Sequence, residues 1–231
     1  MMSNTNPITV LLAEDHQIVR EGFRSILEHE SDIKVVGEAE TGRQAVQLTK
    51  KLRPAVVVMD IAMPLLNGLE ATRQIRNDFP GTKVLVLSAH SDDAYVEKMV
   101  SFGAAGFLLK QTSSHVLAIA IREVQKGNTF FAPGISAAGK PDVAPKPHGQ
   151  NGSFKKKATN RLSSREVEVL QLIAEGKPNK QVAAELGVSF KTVDKHRQHL
   201  MAKLNIHDIA GLTRYAISEG IIESTVRLKI V

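Results

Sequence analysis

The chain lacks cysteine, which excludes disulfide bonds and thiolate metal sites. It also lacks any apolar run near the roughly 18 residues of a membrane-spanning helix. Residues 1–7 contain neither a basic nor an apolar segment, so we expect no export signal. With 231 residues and an ordinary hydrophobic share of 42%, the sequence is expected to form one large or two small cytoplasmic domains, not embedded in a membrane.

Positive charge is concentrated in the second half of the chain. The net charge of +6 divides into −1 over residues 1–131, +4 over 132–160 and +3 over 161–231. This asymmetry suggests a polyanionic partner for the second half. A solubilising surface explains it equally well, so charge alone does not decide between them.

Short apolar runs alternate with helical patterns over about the first 125 residues. Such alternation is typical of βαβ units and predicts an α/β domain with a doubly wound, five-stranded parallel sheet and five helices. The fourth of these helices would carry Val96, Met99 and Val100 on one face. The predicted strands are at 8–13, 34–36, 55–59, 84–87 and 106–109.

Prolines, glycines and a lysine run at 155–157 break the periodicity of residues 128–160, which predicts a flexible linker. The lysine run would contact phosphates in one interpretation and is simply solvated in the other. Beyond it the pattern is purely helical. Ser163 and Glu166 have the spacing of a capping box. A short helix, Gly187 and a longer helix then predict a helix-turn-helix.

Polar side chains stand at the ends of four predicted strands. Asp60 ends a buried strand, Glu14 and Asp15 follow the first, Ser88 ends the fourth and Lys110 follows the fifth. A carboxylate at the end of a buried strand is costly for a purely folding role. Because ligands bind at the carboxyl ends of parallel strands, we expect these five residues to form one site.

The residue types of this group suit phosphoryl transfer. Three carboxylates with open coordination positions favour Mg²⁺, which accepts phosphate as a further ligand. A carboxylate can attack phosphorus to give an aspartyl phosphate. Lys110 would supply positive charge, and Ser88 a hydroxyl, to the transferred group.

The strand-end motifs together resemble the receiver domain of two-component response regulators. They are the acidic pair 14–15, Asp60 with Met63-Pro64 and Gly68, Ser88-Ala89, and the run 106–110. The resemblance covers residues 7–127 and implies a flavodoxin-like fold with Asp60 as phosphoacceptor. It further implies Mg²⁺ ligands Glu14, Asp15, Asp60 and the Ala62 carbonyl, with Lys110, Ser88 and an inward-turning Phe107 as partners of the phosphoryl group.

Each of these residues also has a simpler interpretation. Asp60 alone could cap a helix or form an ion pair, Ser88 could be a turn residue, and Phe107 could be ordinary core. Gln111 stands where such domains often have a proline after the lysine with a cis bond, which leaves the Lys110–Gln111 peptide conformation open.

The longer helix of the helix-turn-helix is amphipathic. Val193 and Leu200 lie on one face, and Lys191, Lys195 and Gln198 lie opposite. Lysine can donate to guanine and glutamine can pair with adenine in the major groove. We therefore expect this helix to face DNA; a merely solvated basic face is the alternative.

The segment 161–222 is similar to the LuxR-type DNA-binding domain, through motifs such as Ala174–Lys177 and Val188–His196. With the receiver, the chain resembles a NarL/FixJ-type response regulator, the second domain spanning 161–225. The resemblance implies control by a sensor histidine kinase, and a homodimer on double-stranded DNA. It implies that Lys191, Thr192, Lys195, His196 and Gln198 face DNA. We expect Lys195 and Gln198 to contact base edges, and Thr192, His196 and Arg197 to contact phosphates. A structural role competes for His196 and Arg197.

A phosphatase and a docking scaffold are the two alternatives to a transcription regulator. A phosphatase of the haloacid dehalogenase type would need an acid two residues after Asp60, where Ala62 stands, so no side chain there can act as general acid–base. A receiver used only as a docking scaffold would not need the complete set of acids, Ser88 and Lys110. We therefore expect no enzyme.

Overall fold

The computed structural model describes residues 6–89, 96, 99–131 and 162–222. Its first part contains a parallel sheet with the order β2-β1-β3-β4-β5-β6. The predicted doubly wound α/β class is confirmed. The strands are β1 (Ile8–Ala13), β2 (Ile33–Ala39), β3 (Val56–Asp60), β4 (Lys83–Ser88), β5 (Gly106–Leu109) and β6 (Phe130–Phe131).

The sheet has one strand more than the sequence predicted. Strand β6 pairs in parallel with β5, from Gly106 opposite Phe130 to Phe107 opposite Phe131. Gly127, with φ of +94°, ends the preceding helix and lets the chain turn back to the edge of β5. Two residues carry too little periodicity to predict a strand, and this one lies beyond residue 127, where the predicted receiver domain ends.

Helices cover both faces of the sheet. They are α1 (Gln17–Glu28), α2 (Gly42–Leu52), α3 (Gly68–Asp78) and α4 (Ser114–Gln125). Residues 96 and 99–101 are also helical and coincide with the fourth predicted helix, the rest of which lies outside the described residues. Side chains from α1 and α4 pack on one face, and those from α2, α3, Val96 and Met99 pack on the other.

Local capping explains where two of these helices begin. The Thr41 hydroxyl accepts a hydrogen bond from the N–H of Gln44, and the Asn67 carboxamide oxygen accepts one from the N–H of Glu70. Both satisfy backbone donors that a helix start leaves without partners. Because Asn67 follows the loop after β3, its cap also fixes where that loop ends.

The C-terminal module is helical, as predicted. The Ser163–Glu166 capping box is present in both directions at the start of its first helix. Gly187 adopts a left-handed conformation with φ of +62° and separates the second and third helices. The four helices are α5 (Ser164–Ala174), α6 (Asn179–Leu186), α7 (Phe190–Leu204) and α8 (Ile209–Ser218).

The two modules contact each other through the loop after β3 and helices α2 and α3 on one side, and through α5 and Ile221 on the other. Gln74 donates to Glu168 at 3.2 Å, and Arg73 donates to the hydroxyl of Ser164. Leu65 of the loop packs against the apolar core of the helical module. Most of the predicted linker, including its lysine run at 155–157, lies outside the described residues. Residues 223–225 of the predicted second domain also lie outside them. No helix among the described ranges has the length and apolar character to cross a membrane.

Candidate phosphoacceptor site and DNA-facing helix

The sheet brings the predicted acidic residues, Ser88 and Lys110 to one edge. Asp60 is the last residue of β3 and Ser88 the last of β4, while Glu14 directly follows β1 and Lys110 directly follows β5. The N–H of Lys110 donates to the Ser88 carbonyl at 2.8 Å, which extends the β4–β5 pairing to the site. The parallel register thus places these strand ends side by side, as expected.

Lys110 forms a buried ionic cluster with two of the acids. Its Nζ lies 2.7 Å from Glu14 Oε2 and 3.0 Å from Asp60 Oδ1. The side chains of Glu14 and Asp60 are each 3% exposed, and that of Lys110 is 19% exposed. One ammonium therefore serves two buried carboxylates, which leaves excess negative charge at the sheet edge.

Burial, followed by the charge of Glu14, raises the pKa of Asp60 to about 6. Lys110 opposes this rise, and the charge of Asp15 adds to it. Burial alone would lower the pKa of Lys110, but the charges of Asp60 and Glu14 and the hydrogen bond to Glu14 outweigh it and raise that pKa. At neutral pH the site therefore holds a charged lysine and a mostly ionised Asp60.

The two oxygens of Asp60 differ. Oδ1 accepts the N–H of Ile61 at 2.8 Å and contacts Lys110. Oδ2 is buried and has no hydrogen-bond partner within the part of the chain that the structure describes. An orphaned carboxylate oxygen beside further acids fits a divalent cation, which would relieve the excess negative charge.

Glu14, Asp15 and His16 form a second, overlapping group of metal-ligand types. One ligand atom of each lies within 4.8 Å of the others, and His16 Nδ1 is 2.9 Å from Asp15 Oδ1. The side chains of Asp15 and His16 are more exposed than that of Glu14, so they line the solvent side of the site. His16 directly follows the acidic pair in the sequence but was not among the predicted site residues.

The loop after Asp60 requires a glycine at its end. A Cβ on Gly68 would lie 1.8 Å from the carbonyl oxygen of Asp60, so no other residue fits without moving the strand end. The N–H of Gly68 donates to the Ile61 carbonyl at 2.8 Å and closes the loop. Ala62, whose carbonyl the resemblance assigns to Mg²⁺, lies in this loop.

Ser88 and Phe107, the predicted switch residues, are both buried. Ser88 is 4% exposed at the site edge. Phe107 is fully buried in the core on the α2–α3 face of the sheet. Its side chain is therefore already turned inward in this structure. The Lys110–Gln111 peptide bond, whose conformation the sequence left open, is trans.

Arg20 was not among the predicted site residues, but it binds the backbone of the acidic turn. Its Nη1 donates to the Glu14 carbonyl at 2.7 Å in a buried contact, while Nε and Nη2 pair with Glu38 and Glu40. Its side chain is 8% exposed. The available sequence signal was an arginine on α1 together with two acids at the end of β2. This signal could be interpreted only with knowledge of how α1 and β2 lie relative to each other.

Helix α7 presents the predicted DNA-facing side chains to solvent. Lys191, Lys195 and Gln198 are exposed, whereas Val193 and Leu200 are fully buried in the helical core. The Ser189 hydroxyl caps the helix by accepting the N–H of Thr192 at 3.1 Å. The amphipathic division predicted from the sequence is therefore present.

Some side chains that were predicted to contact DNA are half-buried or form hydrogen bonds within the protein. Arg197 is half-buried and donates to the Asn179 side chain at 3.2 Å, a link between α7 and α6. His196 is half-buried beside it. The carboxamide of Gln198 donates to Asp194 at 3.0 Å, which orients the amide group on the exposed face.

Both parts of the chain match described families. Residues 10–122 match the family described as "Response regulator receiver domain". Residues 160–216 match "Bacterial regulatory proteins, luxR family".

Similar proteins match over nearly the whole length. The chain is 34% identical to the transcriptional regulatory protein DegU of Brevibacillus brevis, covering 94% of this chain and 96% of that one. It is 36% identical to the oxygen regulatory protein NreC of Staphylococcus epidermidis, covering 93% and 99%. Among solved structures, two RcsB dimers bound to two parallel DNAs match with a TM-score of 0.55 and 29% identity, covering 92% of this chain and 99% of that one.

Proposed function

Because the chain belongs to the NarL/FixJ-type response regulators of two-component systems, which join a receiver domain to a LuxR-type DNA-binding domain, we propose that Asp60 is its phosphoacceptor. Members of this family regulate transcription and are not enzymes. The observation that carries the proposal is the buried Lys110–Asp60–Glu14 cluster at the carboxyl edge of the sheet.

The phosphoryl group comes from a phosphohistidine of a sensor kinase. Its phosphorus–nitrogen bond breaks as a phosphorus–oxygen bond forms on the carboxylate of Asp60. Lys110 offers positive charge to the transferred group, and Ser88 offers a hydroxyl beside it. The donor approaches from the side of Asp15 and His16, the more exposed part of the site.

Glu14, Asp15, Asp60 and the Ala62 carbonyl would hold Mg²⁺. The bound ion supplies positive charge that offsets the carboxylates and the incoming phosphate. The support is the donor set of hard oxygens and the orphaned Oδ2 of Asp60. Phe107 lies in β5 next to the site and completes the core behind it.

The DNA-binding module reads double-stranded DNA as part of a homodimer in the cytoplasm. Lys195 and Gln198 contact base edges, and Lys191 and Thr192 lie at the helix start, near the DNA backbone. His196 and Arg197 contact phosphates from the flank of the helix. Phosphorylation favours the dimer, which binds two half-sites about one helical turn apart.

The test is labelling with acetyl phosphate and Mg²⁺, followed by mass spectrometry of the intact chain. The wild type is expected to gain one phosphoryl group at Asp60, and Asp60→Asn none. Asp78→Asn removes an exposed aspartate from the same domain and should label like the wild type. Persistent label at another residue of Asp60→Asn would refute the assignment.

A further inference from the structure

The acidic turn, residues 14–16, carries its two carboxylates at adjacent positions of the chain. The N–H of Glu14 donates to the Ala39 carbonyl at 3.0 Å, which ties the start of the turn to the end of β2. The N–H of His16 donates to Glu14 Oε1 at 3.2 Å. Between these two points lies the planar peptide that joins Glu14 to Asp15. Its orientation sets the directions in which both carboxylates leave the backbone.

Arg20 holds that peptide by its carbonyl group. Its Nη1 donates to the Glu14 carbonyl at 2.7 Å in a buried contact. Its other donors bind two acids at the end of β2, with Nε 3.1 Å from Glu38 and Nη2 2.9 Å from Glu40. Because the guanidinium is a rigid plane, hydrogen bonds to three separate groups restrict it to one position. The Glu14 carbonyl is restricted with it.

The charge of Arg20 and its hydrogen bond to the turn would affect a bound cation in opposite directions. A positive charge near the acidic turn opposes a cation there, so removing the charge should strengthen cation binding, or leave it unchanged where salt screens it. Losing the hydrogen bond should weaken binding, because Mg²⁺ demands nearly octahedral placement of its oxygen ligands. The two effects can therefore be separated by the sign of the change in affinity.

Arg24 provides a matched comparison about one turn further along α1. Its Nη1 donates to Glu38 and its Nε to Glu28, both at 2.7 Å. The side chain of Arg24 is 52% exposed, whereas that of Arg20 is 8% exposed. The two arginines thus carry the same charge on the same helix and bind the same carboxylate of β2. Of the two, Arg20 is the one that binds the acidic turn.

We propose that Arg20 is a positioning residue for the divalent-cation site at the sheet edge. Through the Glu14 carbonyl it holds the carboxylates of Glu14 and Asp15 in the arrangement that Mg²⁺ binds. The inference rests on the proposed function, which assigns Glu14, Asp15 and Asp60 as ligands of that ion. Loss of a group that orients metal ligands typically weakens metal binding by about 10- to 100-fold.

The first experiment measures binding of Mn²⁺ to the full chain, from the electron paramagnetic resonance signal of the free ion, with Mg²⁺ as competitor. Arg20→Met removes the hydrogen bond together with the charge, and we expect about tenfold weaker binding. Arg24→Met removes the same charge and should bind as tightly as the wild type or slightly more tightly. Arg20→Lys keeps the charge without the planar fork, so it should also bind more weakly than the wild type.

A second measurement separates positioning from a purely structural role. Thermal unfolding is followed by circular dichroism in EDTA and in excess Mg²⁺, because an ion that binds only the folded chain raises Tm more when it binds more tightly. A role in the fold alone would make Arg20→Met lower Tm equally in both buffers. We expect a larger decrease in Mg²⁺, since the variant also loses part of the stabilisation that the ion provides.

The outcomes distinguish this inference from the proposed function. Equal Mn²⁺ affinities of Arg20→Met and Arg24→Met, wild-type affinity in Arg20→Lys, or equal decreases of Tm in both buffers would overturn the positioning role alone. Mn²⁺ binding that Asp60→Asn leaves unchanged would overturn the assigned cation site, and this inference with it.

Discussion

At the edge of the receiver sheet, Asp60 and Glu14 are each 2% exposed and share Lys110, whereas on helix α7 Lys191 and Lys195 extend into solvent. The first region holds charge where water is excluded, so each charge depends on its neighbours. On helix α7 the charged groups lie in water, which screens them, so neighbouring charges contribute little to stability. Substitutions in the first should change stability and chemistry together; those in the second should change binding alone.

The contrast reflects what each region has to recognise. A small phosphoryl group and one cation fit into a sheet edge, where low exposure strengthens every electrostatic contact. A DNA duplex is large and highly charged, so a surface that meets it must remain accessible before binding. Four substitutions distinguish the two regions by their effects on stability, pH dependence and DNA affinity.

Replacing Lys110 should produce the largest loss of stability. Lys110→Ala leaves Glu14 and Asp60 buried without their shared cation, so we expect a loss of about 3 kcal/mol in EDTA, measured by urea unfolding. Added Mg²⁺ should restore part of it. Lys126→Ala, which removes an exposed ion pair with Glu123, should cost less than about 0.5 kcal/mol. Equal losses for the two lysines would contradict the contrast.

Asp60→Asn should stabilise the metal-free protein in a pH-dependent way. The pKa of Asp60 is raised in the folded state from 3.8 to about 6, so its protonated form stabilises the fold at low pH and that contribution is lost as pH rises through about 6. The variant should therefore gain about 2–3 kcal/mol over the wild type at pH 8 and nothing below about pH 4. Thermal unfolding in EDTA at several pH values measures this. A constant gain at all pH values would argue against ionisation as the cause.

Glu166 offers an intermediate case, since it is a mostly buried charge in the DNA-binding module. It completes the capping box and accepts from Lys203 at 2.9 Å. Despite burial, its hydrogen bonds to Ser163 and Lys203 lower its pKa below 4.5, so its contribution is present above that value and lost as pH falls. Glu166→Ala should lose about 1–2 kcal/mol at pH 7, and less below about pH 4.5. Glu185→Ala, at an exposed position, is the control for thermal unfolding at both pH values.

Lys195→Ala should leave stability within about 0.5 kcal/mol of the wild type, because the side chain is exposed. Its affinity for a selected DNA site should nevertheless fall about 5- to 100-fold, with a smaller loss on unrelated DNA. Fluorescence anisotropy at several salt concentrations separates the two. Lys126→Ala in the receiver should bind both DNAs normally. An equal loss on both would make Lys195 a phosphate contact only.

Much of the site could be predicted because parallel strands impose it. Asp60, Glu14 and Lys110 are far apart in sequence, but each stands at a strand end, and βαβ connections bring strand ends to one edge. Likewise, helical periodicity alone separates Val193 and Leu200 from Lys191 and Lys195. The first case needs residue type together with the topology of parallel strands, and the second needs only the helical period.

Other features escaped prediction because no local rule reports them. In the sequence, Arg20 looks like an ordinary helix residue. Its role becomes visible only when the fold shows that β2 places Glu38 and Glu40 next to it. A structural role was an open alternative for Arg197, but its partner, the Asn179 side chain on the neighbouring helix, could be identified only from the structure. Strand β6 is too short for any periodicity.

The order of the first five strands and their helices, the chemistry at the strand ends and the exposed face of α7 could be predicted, because they depend on residue type and spacing along the chain. The hydrogen bonds of Gln171 to the loop beside Asp60 join residues more than one hundred positions apart and could be found only in the folded chain. Hydrogen bonds of this kind depend on how two folded modules meet, and the spacing of residues within each module carries no information about that.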